Sequence, residues 1–276
     1  MDKTNLGIYE KALPNDLTIN QKLALAKEIG YDQLEISIDE TDEKLNRLYN
    51  GFAHELAKAQ QDEQMRVRTM CLSGHRKYPF GSLDPFVRNK SLDIMEKAIE
   101  FADINSIKII QLAGYDVYYE KSSDETKKYF EENLAKAVEM ASKYGVILAF
   151  ETMETEFMDT VEKAMKYVKL IDSPYLGIYP DIGNLKNAAV KYGTDVTEDL
   201  KLGKGHIFAA HIKETNPGIY RDMTFGTGGH TEYEKSIAEL KSQGVKLYTG
   251  EFWHQGEENY KEIITDAHKF LREKLK

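Results

Sequence analysis

The chain has 276 residues, a formal net charge of −9 at pH 7 and a pI near 5.4, with 41% hydrophobic and 30% charged residues. This acidic balance opposes binding to nucleic acid, whose phosphate backbone normally requires a basic excess. No apolar run approaches the roughly 20 residues of a membrane span, and the opening MDKTNLG lacks signal-peptide features. The single cysteine, Cys71, allows no intrachain disulfide. We therefore expect a cytoplasmic protein without membrane partners.

Short apolar runs recur about every 30–40 residues and are separated by longer segments with helical spacing. Such runs are typical of strands buried on both faces of a parallel sheet. Eight runs are candidate strands, at residues 6–10, 33–38, 67–73, 107–114, 146–151, 175–181, 207–213 and 246–253.

Two of the intervening segments carry a clear apolar stripe at helical spacing, which predicts surface helices with one buried face. Gly30 and Gly145 are in positions typical of helix C-termini, and Asp84 followed by Pro85 resembles a helix cap and first turn. The two stripes consist of Leu92, Met95, Ile99 and Ala102, and of Phe130, Leu134, Ala137, Val138 and Ala141.

The alternation of strands and helices, without a linker or low-complexity tract, predicts one parallel α/β domain over residues 1–276. A (β/α)₈ TIM barrel fits the strand count best. An open doubly wound sheet is the alternative, because the pattern alone does not show whether the first and last strands pair. No G-x-G-x-x-G sequence follows the first strand, which favours the barrel.

Four residues of metal-ligand type stand at the predicted ends of the last four strands: Glu151, Asp181, His211 and Glu251. Each alone could be a solitary polar residue at a loop boundary, and His211 could be a core histidine. Because strand ends of a barrel meet around one cavity, their joint spacing favours a shared site. One imidazole and three carboxylates suit a divalent cation such as Mn²⁺, Zn²⁺, Co²⁺ or Mg²⁺.

Eight segments, in order over about residues 6–275, also resemble a known enzyme family, the L-ribulose-5-phosphate (L-xylulose-5-phosphate) 3-epimerases of bacterial L-ascorbate and pentose use. That family belongs to the xylose-isomerase-like TIM barrels. The segments are LGIYEKALP, ISIDETDEKLNRL, MCLSGHR, MEKAIEFA, IQLAGYDVYY, YPDIGNL, HIKETNPGIYRDMTFG and GEFW.

The resemblance implies metal-dependent epimerisation at C3 of an L-ketopentose 5-phosphate. The metal ligands of the family fall on the four residues named above, and its acid and base fall on Glu151 and Glu251. A small-molecule sugar phosphate is the expected partner, and a homodimer is the assembly that the resemblance suggests. The competing hypotheses are an aldose-ketose or hexulose-phosphate isomerase on the same scaffold and, in a different class, an abasic-site endonuclease.

Further residues are candidates for substrate binding. Asn184 stands where some free-ketose epimerases have a histidine, and Arg221 stands where the resemblance implies a basic residue. The glycine-rich stretch at residues 225–230 is either a phosphate-binding loop or a turn. The remaining candidates are His75 and Arg76, which otherwise belong to a surface loop, and Lys213, which otherwise makes a structural salt bridge.

Three other residues receive structural predictions from their positions at or near strand ends. Glu35 is expected to be a structural partner inside the barrel. Tyr9 and Trp253 either form an apolar wall of the pocket or only pack, as aromatic residues at strand ends usually do.

Overall fold

The computed structural model describes residues 4–276, and within that range one parallel sheet has eight strands surrounded by ten α-helices. The strands are β1 (Asn5–Tyr9), β2 (Gln33–Ile38), β3 (Arg66–Leu72), β4 (Ile109–Leu112), β5 (Ile147–Glu151), β6 (Leu176–Tyr179), β7 (Ala210–Ile212) and β8 (Leu247–Gly250). The helices are α1 (Ile19–Ile29), α2 (Asp42–Asn46), α3 (Phe52–Glu63), α4 (Pro85–Ile104), α5 (Asp124–Tyr144), α6 (Val161–Ile171), α7 (Ile182–Tyr192), α8 (Val196–Leu202), α9 (Tyr233–Ser242) and α10 (Tyr260–Lys274).

The sheet closes into a barrel. Strand β1 pairs in parallel with both β2 and β8, so the first and last strands are neighbours. Strand β6 joins the segment leading into β7 through parallel bridges from Ile178 to Ile207 and from Asp181 to His211. The predicted TIM barrel is therefore confirmed, and the alternative of an open doubly wound sheet is wrong.

The predicted strands all exist, but several are shorter than the apolar runs. Strand β7 is limited to Ala210–Ile212, whereas the prediction was residues 207–213. Asp181 and Glu251 lie just beyond the last residues of β6 and β8. A run of apolar residues reports burial, and burial continues into the loops after ordered strand pairing has ended.

The two predicted apolar stripes lie on α4 and α5 and face the hydrophobic core. The predicted helix ends are also confirmed: Gly30 and Gly145 adopt left-handed conformations with φ of 107° and 65°. The Asp84 side chain accepts a hydrogen bond from the Phe86 amide at the start of α4. None of the helices in residues 4–276 has the length and apolarity needed to cross a lipid bilayer.

A buried ion cluster fixes the corner between β1 and α1. The Glu10 carboxylate is fully buried and lies 3.1 Å from Lys22 Nζ, 2.5 Å from Lys44 Nζ and 2.8 Å from Arg47 Nη1. It also accepts a hydrogen bond from the Ser37 amide. Burial alone would raise the pKa of Glu10, but the charges of Lys44, Arg47 and Lys22 hold it well below its usual value.

We expect Glu10→Gln to lower the free energy of unfolding by about 3–5 kcal/mol, because it leaves buried cations without their counter-charge. Chemical denaturation monitored by circular dichroism measures this loss. As a control, Glu139→Gln removes an exposed ion pair with Lys143 and should cost less than about 1 kcal/mol. Equal losses in the two variants would contradict the account of the cluster.

The same ion cluster predicts a pH dependence. Since the folded pKa of Glu10 is depressed, its charged form stabilises the fold fully above the unfolded pKa of about 4.3. This contribution is lost as the pH falls below that value towards the folded pKa. The difference in unfolding free energy between the wild type and Glu10→Gln should therefore be constant from pH 6 to 8 and shrink below about pH 4.

Candidate active site

Four ligand-type side chains meet at the carboxyl ends of the last four strands. Glu151 ends β5, Asp181 precedes α7, His211 is in β7 and Glu251 follows β8. One ligand atom from each lies within 4.8 Å of the others, and all four residues are buried. We call these residues the quartet. It is the set predicted from spacing, and the structure brings it together.

Strand register explains why these distant residues become neighbours. Glu151 is the register partner of Tyr179 at the end of β6, and Asp181 bridges to His211 across the seam between β6 and β7. His211 in turn pairs with Thr249 of β8. Each quartet residue is therefore either the register partner of the next one or within two residues of that partner.

The start of α7 orients the Asp181 carboxylate. Asp181 is the helix N-cap, and its Oδ1 accepts a hydrogen bond from the Asn184 amide at 2.8 Å. The other oxygen, Oδ2, is thereby directed to the quartet, where it lies 3.9 Å from His211 Nδ1. The cap thus commits one oxygen to the helix and leaves the other for the site.

Two nitrogen groups lie among the quartet carboxylates. His211 Nδ1 is 3.4 Å from Glu251 Oε2 and 3.8 Å from Glu151 Oε1. Lys213 Nζ is 3.0 Å from Glu251 Oε2 and 3.2 Å from Asp181 Oδ2. Lys213 therefore makes salt bridges, as its alternative interpretation from the sequence expected, and these salt bridges lie inside the site.

The quartet acids experience different electrostatic environments. Burial raises the pKa of Glu151, and the charge of Glu251 raises it further. Burial also raises the pKa of Asp181, to about 7, although Lys213 opposes the shift. Burial acts on Glu251 in the same sense, but Lys213 and His211 hold its pKa well below the usual value. Three acids thus share the positive charge of only Lys213 and His211 among the nearby groups that lower their pKa values.

The donor set of the quartet fits a divalent cation. Asp181 Oδ2 and Glu251 Oε2 are buried and accept no hydrogen bond from any residue in the described range. Their ion-pair partner is the Lys213 ammonium group, which lies 3.2 Å from Asp181 Oδ2 and 3.0 Å from Glu251 Oε2. Buried carboxylate oxygens without donors, beside an imidazole nitrogen, are the ligands that hard and borderline divalent ions prefer.

An opening beside the quartet is lined by Glu151 and Glu251. Four cationic side chains line it, and so do Tyr9 and Trp253, which confirms that these two aromatic residues form part of the pocket wall. The cations are Lys11, Arg76, Lys213 and Arg221. A cavity with acids at its base and cations around it suits a ligand that carries both hydroxyl groups and an anionic group.

Three of the predicted substrate-binding residues reach this opening with unused polar atoms or exposed charge. Asn184 donates its Nδ2 to the Thr152 carbonyl, while its Oδ1 has no donor in the described chain. The Arg76 guanidinium lies 4.6 Å from the centre of the Tyr118 ring, and its buried Nε has no acceptor there. Arg221 is half exposed, with the Glu154 carboxylate 3.7 Å away.

His75 does not reach the opening, so its predicted substrate contact needs correction. The 3₁₀ turn Gly74–Arg76 directs the His75 ring inward, where Nε2 bonds to the Ser91 carbonyl of α4. The ring also lies 4.4 Å from the ring of Phe80. Burial lowers the pKa of His75 to about 4, so this residue is a neutral structural group.

The glycine-rich stretch at residues 225–230 is likewise absent from the lining of the opening. Phe225 contacts the rings of Phe252 and Phe270, and the His230 amide donates to the Thr215 carbonyl. The loop therefore packs against α10 and the segment after β7, as expected for its alternative as a turn, and it is absent from the lining of the pocket.

Sequence reasoning missed several residues that line the opening. Lys11 follows the end of β1, and its ammonium group lies 2.5 Å from Asp39 Oδ2. Ser73 follows β3, and Tyr220 lies beside Arg221 in the loop after β7. The available signal was position: each of Lys11 and Ser73 is within two residues of the carboxyl end of a strand, as the quartet is.

Glu35 lies inside the barrel beneath the quartet, as predicted for a structural partner. It is fully buried, and its Oε1 is 2.6 Å from His211 Nε2. Strands β2 and β7 are therefore linked across the barrel interior.

Comparison with solved structures shows the same fold. The protein IOLI with a bound zinc atom aligns with a TM-score of 0.80 at 20% identity, covering 98% of each chain. A D-psicose 3-epimerase from Clostridium cellulolyticum H10 with D-tagatose aligns with a TM-score of 0.80 at 15% identity, covering 99% of each. An L-ribulose 3-epimerase has a TM-score of 0.77 at 16% identity, covering 99% of this chain and 94% of that one. These likenesses concern the fold alone.

Comparison with curated proteins is more specific. The family model described as xylose isomerase-like TIM barrel matches residues 23–274. L-ribulose-5-phosphate 3-epimerase UlaE of Salmonella heidelberg (strain SL476) is 42% identical over 273 residues, which cover 98% of this chain and 94% of that protein. UlaE of Escherichia coli O157:H7 is 41% identical with the same coverage. The chain therefore belongs to the xylose isomerase-like TIM barrels and, among them, to the L-ribulose-5-phosphate 3-epimerase family.

Proposed function

We propose that this protein is a metal-dependent 3-epimerase that interconverts L-xylulose 5-phosphate and L-ribulose 5-phosphate. The observation that carries the proposal is the position of Glu151 and Glu251, which both belong to the quartet and both line the opening. The family relationship over nearly the whole chain supports the choice of substrate.

The two glutamates are suited to proton transfer at C3. Epimerisation removes the proton beside the C2 carbonyl and returns a proton to the opposite face, so it needs one group on each side of the carbon. Glu151 enters the site from β5 and Glu251 from the end of β8, with β6 and β7 between them. Because the reaction is reversible, each glutamate acts as base in one direction and as acid in the other.

The quartet residues Glu151, Asp181, His211 and Glu251 would hold the divalent cation. When bound, the cation supplies Lewis acidity that stabilises negative charge on the substrate oxygens in the enediolate. Three carboxylates and one imidazole favour Mn²⁺, Zn²⁺, Co²⁺ or Mg²⁺ over softer ions. Cys71 lines the opening but is not a member of the quartet, so no thiolate takes part.

The cations around the opening supply the charge that a sugar phosphate requires. We assign Arg76 and Arg221 to the substrate because their guanidinium groups line the opening without a close bidentate partner. The Asn184 Oδ1 would accept a hydrogen bond from a substrate hydroxyl. Lys213, held between two quartet acids, would donate to an oxygen near the reacting carbon.

Resemblance to the family supports three further parts of the proposal: residues 1–276 act as one catalytic domain, the protein forms a homodimer, and it works in the cytoplasm on sugar phosphates from L-ascorbate. An aldose-ketose or hexulose-phosphate isomerase is the rival function, since the same enediolate can be reprotonated at another carbon.

The hypothesis of an abasic-site endonuclease is disfavoured, because the net charge of −9 opposes binding to the phosphate backbone of DNA.

The destination of a solvent proton separates the epimerase from the isomerase. In D₂O, we expect deuterium to enter C3 of the L-ketopentose 5-phosphate, as observed by ¹H NMR, because the proton is returned at that carbon. Incorporation at C1 or C2 with no exchange at C3 would show that the isomerase hypothesis is correct.

Each of Glu151→Gln and Glu251→Gln should lower the rate of C3 exchange by about 10²–10⁴-fold, because each removes one proton-transfer group. The fold should be retained in both, as measured by circular dichroism. Glu198→Gln alters an exposed glutamate on α8 and should leave the rate unchanged. Normal turnover in either quartet variant would contradict the two-glutamate mechanism.

Divalent cations should also stabilise the folded protein, because they bind the assembled quartet and not the unfolded chain. At a free cation concentration of about 100 times Kd the gain is about 2.7 kcal/mol, which appears as a rise in Tm over chelator-treated protein. His211→Ala should remove most of the rise. A Tm that is equal with and without the cation in the wild type would contradict a metal site here.

A further inference from the structure

The barrel interior beneath the quartet holds a chain of polar side chains that converges on Glu35. Glu35 Oε1 is 2.6 Å from His211 Nε2, and its Oε2 accepts hydrogen bonds from Thr69 Oγ1 at 2.7 Å and from the Tyr179 hydroxyl at 2.8 Å. The Tyr179 hydroxyl is also 2.9 Å from Thr249 Oγ1. All five residues are fully buried, so water does not compete for these bonds.

The backbone of β2 is irregular where Glu35 stands. The register between β2 and β3 shifts between Leu34 and Glu35, so that Leu34 pairs with Val67 and Glu35 pairs with Thr69. Such a bulge re-aims the side chains beside it. Here it places the Glu35 carboxylate opposite the Thr69 hydroxyl that donates to it.

The two ring nitrogens of His211 face different groups. The Thr69 and Tyr179 hydroxyls donate to Glu35 Oε2, and Glu35 Oε1 is placed to accept a hydrogen bond from His211 Nε2. Gln111 Nε2 lies 3.1 Å from His211 Nδ1 and 3.4 Å from Nε2, so this amide contacts both ring nitrogens and does not distinguish them. Because Nδ1 faces the quartet acids, a cation held by Nδ1 requires the tautomer with the proton on Nε2, the nitrogen that faces Glu35.

We propose that Glu35 is a positioning residue that sets the affinity of the site for its divalent cation by holding His211 in this tautomer and ring orientation. The inference rests on the metal site of the proposed function and extends it to a residue that does not touch substrate. Carboxylates that accept the second N–H of a metal-binding histidine typically raise metal affinity by about 10–100-fold. The Thr69 and Tyr179 hydroxyls hold the Glu35 carboxylate in place, so they contribute through Glu35.

A purely structural role for Glu35 makes a different prediction. If Glu35 only filled the barrel interior, its replacement would lower the free energy of unfolding without changing how tightly the folded protein binds metal. If Glu35 positions His211, metal affinity falls in the folded protein. The two measurements therefore separate these roles.

The test is Glu35→Gln in the full-length chain, which keeps the side-chain volume and removes the charge. Zn²⁺ affinity is measured by competition with a chelating fluorescent indicator, and unfolding free energy is measured separately in excess chelator. We expect Zn²⁺ binding to weaken by about 10–100-fold. Saturating Zn²⁺ should restore most of kcat, because the substrate-binding groups are intact.

A matched control uses a buried carboxylate outside the site. Asp116 is 1% exposed and accepts hydrogen bonds from Ser122 and Thr126, so Asp116→Asn should keep Zn²⁺ affinity within about twofold of the wild type. An equal loss of affinity in both variants, or an unchanged affinity in Glu35→Gln, would overturn the inference.

Two more variants cover the remaining outcomes. If Glu35→Gln does not fold, Tyr179→Phe provides the test. Loss of one hydrogen bond from the Tyr179 hydroxyl to Glu35 should weaken Zn²⁺ binding by about 2- to 10-fold, and unchanged binding overturns the inference. His211→Ala tests the site itself. Wild-type affinity in His211→Ala would overturn both the metal site and the role of Glu35, whereas loss of affinity in His211→Ala but not in Glu35→Gln would overturn the inference alone.

Discussion

Mutual repulsion among three buried carboxylates determines what the active site must contain. Glu151, Asp181 and Glu251 are almost excluded from water, and ionised groups in such surroundings need a compensating positive charge. His211 and Lys213 supply part of it. A divalent cation, in our proposal, supplies the rest, and the substrate oxygens bind to a site that is already organised.

The barrel lowers the conformational-entropy cost of bringing the three acids together. Each quartet residue is carried at or beside the end of a strand whose neighbours are held by parallel pairing, so little chain entropy remains to be lost when the acids approach one another. The polar network around Glu35 connects β2, β3, β6, β7 and β8 from inside the barrel. The barrel interior is thus part of the site as well as its support.

The sequence predicted the fold and the quartet because both follow from periodic rules. Strands recur at regular intervals, and parallel strands in a barrel place their carboxyl ends together, so Glu151 and Glu251 could be brought together from their spacing alone. The positions of His75 and of residues 225–230 could not be predicted, because they depend on loop conformation. A single 3₁₀ turn directs His75 to α4, and the Phe225 ring fixes its loop against α10. The ion cluster around Glu10 could not be predicted either, since its three cations, Lys22, Lys44 and Arg47, are distant in sequence.

Anomalous diffraction from a crystal of the protein grown with Mn²⁺ or Zn²⁺ would show whether the quartet holds the cation. A metal site at the quartet predicts one strong anomalous peak at about 2.0–2.3 Å from an oxygen of each of Glu151, Asp181 and Glu251 and from Nδ1 of His211. A peak bound to other residues, or no peak among these four side chains in crystals of active protein, would contradict it.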